Sequence, residues 1–183
     1  MSMITKLFSR VKGFRAMRAW SARALRPGDV TLPVANYRQL DGYSCAAVSG
    51  FAVVKTFHPD ADFGKLYDLV DPDPEDGTSD WRLIKSLRKF GVRCGWVDEI
   101  PGFKYVRDCI DGKALILAGI YLGDRIHHWV VIYGYGIHPG KSVFLACCSG
   151  FFPPNRVAWG KFRKAHVASI GAIRCSPRCR RRK

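Results

Sequence analysis

Halfway along this chain the spacing of its apolar residues changes, and that change limits the fold more than any single motif does. From Ala46 to Phe57 the apolar positions Ala47, Val48, Phe51, Val54 and Phe57 recur at helical spacing, and His58-Pro59 closes the run. A second, shorter helix is expected over Asp62 to Val70. The acidic stretch Asp71-Pro72-Asp73-Pro74-Glu75-Asp76-Gly77 then excludes regular structure. Thr78 or Ser79 suits the N-cap of a third helix with Leu83, Leu87 and Phe90 on one face, and Gly91 is placed to end it. A fourth is expected around Phe103 to Ile110. From Ala114 onward the pattern becomes that of strands. Ala114 to Tyr121, Trp129 to Tyr135, Val143 to Cys147 and Val167 to Arg174 are rich in β-branched and aromatic residues. Helices first and strands later argue for an α+β domain, with a largely antiparallel sheet packed on the first-half helices.

The 183 residues, 48% of them hydrophobic, suit one domain with a substantial core. Charge divides the chain further. Residues 1 to 28 carry seven basic side chains and no acid, residues 29 to 124 carry eleven basic and all fifteen acidic ones, and residues 125 to 183 carry twelve basic and none acidic. The expected organisation is a basic arm over 1–30, a domain over 31–174 and a basic tail over 175–183. In the arm, Ile4, Leu7, Phe8, Val11, Phe14 and Met17 recur every three or four residues between Lys6, Arg10, Arg15 and Arg18. This is a basic amphipathic helix, suited to an anionic membrane surface, to docking on the domain, or to organelle targeting. No apolar run is long enough to span a bilayer. Ala114 to Leu122, the longest, is broken by Gly119.

Seven cysteines cannot all pair within one chain, so a reducing compartment such as the cytoplasm is the simpler expectation. Cys175 and Cys179, like the adjacent Cys147 and Cys148, match no paired zinc-ligand spacing. No metal or cofactor is expected. There is no glycine-rich phosphate loop or dinucleotide fingerprint. Nucleic acid is a poor partner, because the basic stretches carry no recognised motif and most Tyr and Trp fall in expected core segments.

Chemistry concentrates in two segments. In Gln39-Leu40-Asp41-Gly42-Tyr43-Ser44-Cys45-Ala46, Cys45 stands where a loop becomes a helix. The positive end of the helix dipole there is expected to lower a thiol pKa and populate the nucleophilic thiolate. Gln39, the only glutamine, lies six residues upstream, where its amide and the Cys45 N–H would give an oxyanion two donors. In Arg125-Ile126-His127-His128-Trp129-Val130-Val131, a histidine heads a buried strand on the sheet facing that helix, the place for a general base. His128 is the candidate. If the strand has begun, His127 and His128 point to opposite sides and only one faces the thiol. Read singly, the same residues suit a small buried cysteine, a surface glutamine and two loop histidines. His58, His138 and His166 suit surface positions.

Taken together these segments resemble a family. Gln39-x5-Cys45 opening the first helix, Gly77-Thr78-Ser79 before a helix ending Lys89-Phe90-Gly91, and His128-Trp129-Val130-Val131-Ile132-Tyr133-Gly134-Tyr135 look like papain-like cysteine peptidases of the bacteriocin-processing, double-glycine leader kind. The resemblance covers roughly Pro33 to Ser149. It implies a papain-like fold, a helical half against an antiparallel sheet with the site in the cleft between them. It also implies Cys45 as nucleophile, His128 as base and Gln39 as oxyanion donor, acting on a peptide or protein. Two departures stand out. Ala46 replaces the glycine that usually follows the nucleophile, and no acid exists after Asp124 to orient the histidine. The matching carboxylate position falls at about Cys147, and the one downstream amide of that kind is Asn155.

Three functional readings follow. The first is a cysteine peptidase or related thiol acyl-transfer enzyme. The second is a catalytically degenerate peptide-binding module of the same fold. The third is a protein binding anionic membrane or nucleic acid through its basic flanks.

Overall fold

The computed structural model describes residues 25–122, 126–138, 141–149, 155–158 and 171–177. The amphipathic arm expected over Ile4 to Met17 and the end of the basic tail lie outside them. Among the described residues four helices form where the apolar periods predict them: α1 (Cys45–Phe57), α2 (Phe63–Val70), α3 (Asp80–Lys89) and α4 (Phe103–Asp111). Their ends have identifiable causes. The Asp62 carboxylate accepts the Lys65 N–H at 2.8 Å and so caps α2. Ser79, not Thr78, caps α3 by accepting the Arg82 N–H. Gly91, at φ +76°, turns the chain out of α3. Helix α1 is the central one. Ala46 through Val54 are all buried, so it is enclosed on every side and shows no polar face.

Among the described residues, seven strands make one sheet: β1 (Val30–Thr31), β2 (Val92–Val97), β3 (Leu115–Leu122), β4 (Ile126–His138), β5 (Lys141–Cys148), β6 (Asn155–Ala158) and β7 (Ala172–Pro177). Their order is β2-β7-β3-β4-β5-β6, with β1 added on β4, and every pairing is antiparallel. The fold is therefore α+β, with helices packed on an antiparallel sheet. Three strands were not expected. β1 and β6 are short. β2 has Gly95 at its centre and exposed Arg93 and Trp96, as an edge strand does, so it shows no apolar alternation. It also falls between α3 and α4, so helices and strands are not fully segregated. The last strand takes only Ala172–Arg174 of its expected span, and 167–170 lie outside the described residues. It runs on through Pro177, and β1 takes in Val30, so regular structure reaches past both ends of the expected 31–174.

Strand β4 is the long member and is paired on both sides along most of its length. β3 covers Ile126 to Ile132, and beyond that point β1 takes over at Gly134 and Tyr135. The register with β5 shifts between Ile132 and Gly134, leaving Tyr133 as the extra residue. A side chain at Gly134 would meet the Val30 carbonyl oxygen at 2.6 Å and Thr31 Cγ2 at 2.7 Å. Gly134→Ala is thus expected to push β1 off β4 and destabilise the fold by about 1–3 kcal/mol in urea unfolding. Gly95→Ala is the control, since nothing lies within 4 Å of its added carbon. An equal effect of both substitutions would refute the close approach at Gly134.

Candidate active site

Helix α1 starts at Cys45, and its neighbouring loop is tied down locally. Asp41 Oδ1 accepts the N–H groups of Tyr43 at 2.9 Å and Ser44 at 2.7 Å, so an Asx turn leads into the helix where Ser44 itself makes no side-chain cap. The Tyr43 phenol hydrogen-bonds that of Tyr67 on α2, which braces the loop from outside.

On the sheet side, β5 pairs with β4 only as far as Val130↔Cys148. Trp129 therefore needs partners for its main-chain groups. It faces Gly119 on β3, but the Gly119 N–H goes the other way, to the Gly171 carbonyl at 3.2 Å. Trp129↔Gly119 is thus a pair without mutual hydrogen bonds, and the N–H and C=O of Trp129 point toward the β5 side. Helix α1 fills that place. Cys45 Sγ accepts the Trp129 N–H, and Ser49 Oγ, one turn on, donates to the Trp129 carbonyl at 2.9 Å. The chain just past β5 binds the loop instead: the Gln39 N–H donates to the Ser149 carbonyl at 2.7 Å, and Ser149 Oγ donates to Gln39 Oε1 at 2.6 Å. Gln39 Nε2 donates to the Asp41 carbonyl at 2.8 Å. Gln39 and Cys45 are thereby joined to the head of β4 where β5 parts from it.

His128 immediately precedes Trp129. It is buried, whereas His127 is exposed, because β4 has already begun at Ile126 and successive side chains alternate. His128 Nε2 is buried and has no hydrogen-bond partner among the described residues. Burial lowers the His128 pKa from its ordinary value. His127 lies close enough to Asp80, at the start of α3, to oppose the rise that burial imposes on that carboxyl.

Cys45 departs from the expected low thiol pKa. Burial pushes it up, with a smaller push from Asp41, and the N–H donors of Trp129, Ala46 and Cys45 oppose this without reversing it. The helix start is present, but Cys45 is only partly exposed there and the helix that follows it, Ala46 to Val54, is buried. Burial thus favours the neutral form of both groups, a protonated Cys45 thiol and an unprotonated His128 imidazole, over an ion pair.

The expected orienting position also needs correction. Cys147 pairs with Val131, three residues from His128, so alternation puts its side chain on the opposite face of the sheet. Asn155 opens β6, where its backbone pairs with Ala146. Ser49, Ser149 and Asp41 did not stand out in the sequence. Ser49 was findable, since residues four apart share a helix face. Ser149 was not, because its role depends on where β5 stops.

No protein-family model and no curated protein matches the chain. Solved structures do match its fold. The peptidase domain of Streptococcus ComA, a bi-functional ABC transporter involved in quorum sensing, superposes with a TM-score of 0.63 at 17% identity, over 78% of this chain and 97% of that one. A double-glycine-motif protease from an AMS/PCAT transporter, in complex with its leader peptide, gives 0.58 at 15%, over 80% and 94%. A C39-like chain from Bacillus anthracis gives 0.60 at 14%, over 85% and 99%. At these identities the likeness is one of fold, and the fold is that of papain-like C39 peptidase domains. No helix among the described residues is long and apolar enough to cross a membrane.

Proposed function

We propose that this protein is a cysteine peptidase or related thiol acyl-transfer enzyme acting on a peptide bond. Cys45 is the nucleophile, His128 the general base and Gln39 an oxyanion donor. The observation that carries this is the hydrogen bond from the Trp129 N–H to Cys45 Sγ, which puts the sulfur one residue from His128 along the backbone. In the reaction, His128 takes the thiol proton as sulfur attacks the carbonyl carbon. The Cys45 N–H and the second hydrogen of Gln39 Nε2, the one not given to Asp41, meet the developing oxyanion. His128 then returns its proton to the leaving amine, and water or another amine resolves the thioester. An extended peptide is the substrate class. This agrees with the bound leader of the double-glycine protease.

Turnover requires neutral His128 and a protonated thiol. The His128 pKa is lowered from 6.5 and that of Cys45 is raised from 9.0, so kcat/KM is expected to hold a plateau between those pH values. It should fall on the acid side below 6.5 and on the alkaline side above 9.0. Iodoacetamide should instead alkylate Cys45 slowly at neutral pH and ever faster above it, because the thiolate accumulates only there. The test is cleavage of a mixed peptide library that includes Gly-Gly sequences, followed across this range. Fast alkylation at pH 7 would overturn the neutral pair.

The buried Nε2 of His128, which has no hydrogen-bond partner among the described residues, favours a second reading, a peptide-binding module that has lost turnover. It predicts library binding without any cleaved product at every pH.

A further inference from the structure

Two cysteines far from Cys45 have no part in this chemistry. Cys94 on β2 and Cys175 on β7 are direct antiparallel partners. Residues so paired have Cα atoms about 4.5–5.5 Å apart, within the span of about 4.4–6.8 Å that a disulfide bridges. Direct partners also place their side chains on the same face. The two thiols already touch through a side-chain hydrogen bond, and both sulfurs are free. Each sulfur also lies near a carbonyl two residues back: Cys94 donates to Val92 at 3.7 Å, and the Ile173 carbonyl, 3.6 Å from Cys175 Sγ, is the alternative acceptor for the one Cys175 thiol proton. Burial differs between them: Cys94 is half-buried and Cys175 is fully buried. One member is therefore reachable from solvent and the other is held behind it.

We propose that Cys94 and Cys175 form a dithiol site that takes a low-molecular-weight disulfide, such as glutathione disulfide, as its oxidant and closes to an intramolecular cross-strand disulfide. Cys94 attacks first. Its thiolate displaces one glutathione thiolate and forms a mixed disulfide at Cys94 Sγ. Cys175 then loses its proton and attacks Cys94 Sγ, and the second glutathione leaves as thiolate. Two thiols lose two protons and two electrons, and one glutathione disulfide becomes two glutathiones. The Cys175 hydrogen bond and the nearby Arg88 guanidinium lower the Cys94 thiol pKa from its ordinary value, which suits it to be the attacking group. Strands β7 and β3 separate β2 from β4, so the site is distinct from the Cys45 region.

The experiment incubates the full chain with oxidised glutathione, blocks remaining thiols with iodoacetamide and maps peptides without reduction. The expected product is a peptide joining Cys94 to Cys175. It should be retained in Cys45→Ala and lost in Cys94→Ser, and the oxidised chain should melt roughly 10 °C higher, because the bridge closes a long loop. Cys94 left as a stable glutathione adduct, Cys94 found alkylated after oxidation, or Cys175 joined to another cysteine would each overturn the proposal.

Discussion

Replacing Cys45 with alanine is expected to lower peptide cleavage by roughly 10⁴- to 10⁶-fold, the loss seen when an acyl-transfer enzyme loses its nucleophile. Peptide affinity should persist. His128→Ala should cost about as much, and the double substitution little more than either alone, because nucleophile and base act as a unit. The measurement is product formation from the peptide library, with binding followed separately by fluorescence anisotropy. A folding control belongs beside it. Removing Cys45 Sγ also removes the acceptor of the Trp129 N–H, a loss of about 1 kcal/mol that thermal melting would read. Cleavage that survives Cys45→Ala would end the enzyme reading, whereas binding without cleavage in the unaltered protein would select the binding module.

The largest effect on stability is expected at Phe144. It is completely buried on β5 and is the largest of the fully buried side chains. Phe144→Ala is expected to cost about 3–5 kcal/mol, the transfer term plus the cavity left behind. That is a fall in melting temperature of roughly 10 °C for a chain this size. Activity should fall with it, since β5 leads into Ser149, which holds Gln39. Cooling should restore that activity if the loss is one of folding. Ile137→Ala, at a position 64% exposed, should shift stability by less than about 0.5 kcal/mol. Comparable costs at the two positions would mean that the core is not centred where Phe144 lies.

The helices were legible because each carries its own period, and most carry a local start or stop signal. Asp62, Ser79 and Gly91 act locally, and a local signal can be read from neighbouring residues. Strands β3, β4 and β5 were legible from their β-branched and aromatic runs. β2 was not, because an edge strand with glycine at its centre needs no apolar alternation, and what defines it is pairing with β7 some eighty residues later. Around the candidate site, sequence placed Cys45 at a helix start and His128 on a strand. It did not reveal that α1 is enclosed, and that enclosure reverses the expected direction of the thiol pKa. The Cys147 position failed for a related reason: one residue of register decides which face a strand side chain takes, and spacing alone does not fix register.

Helices that merely rest on a sheet can slide by fractions of an ångström, and a pair of groups split between two such layers inherits all of that play. The first turn of α1 is instead grafted onto β4 through both main-chain groups of Trp129. The start of α1 therefore moves with the strand that carries His128, and breathing of the helical layer against the sheet is pinned at this point.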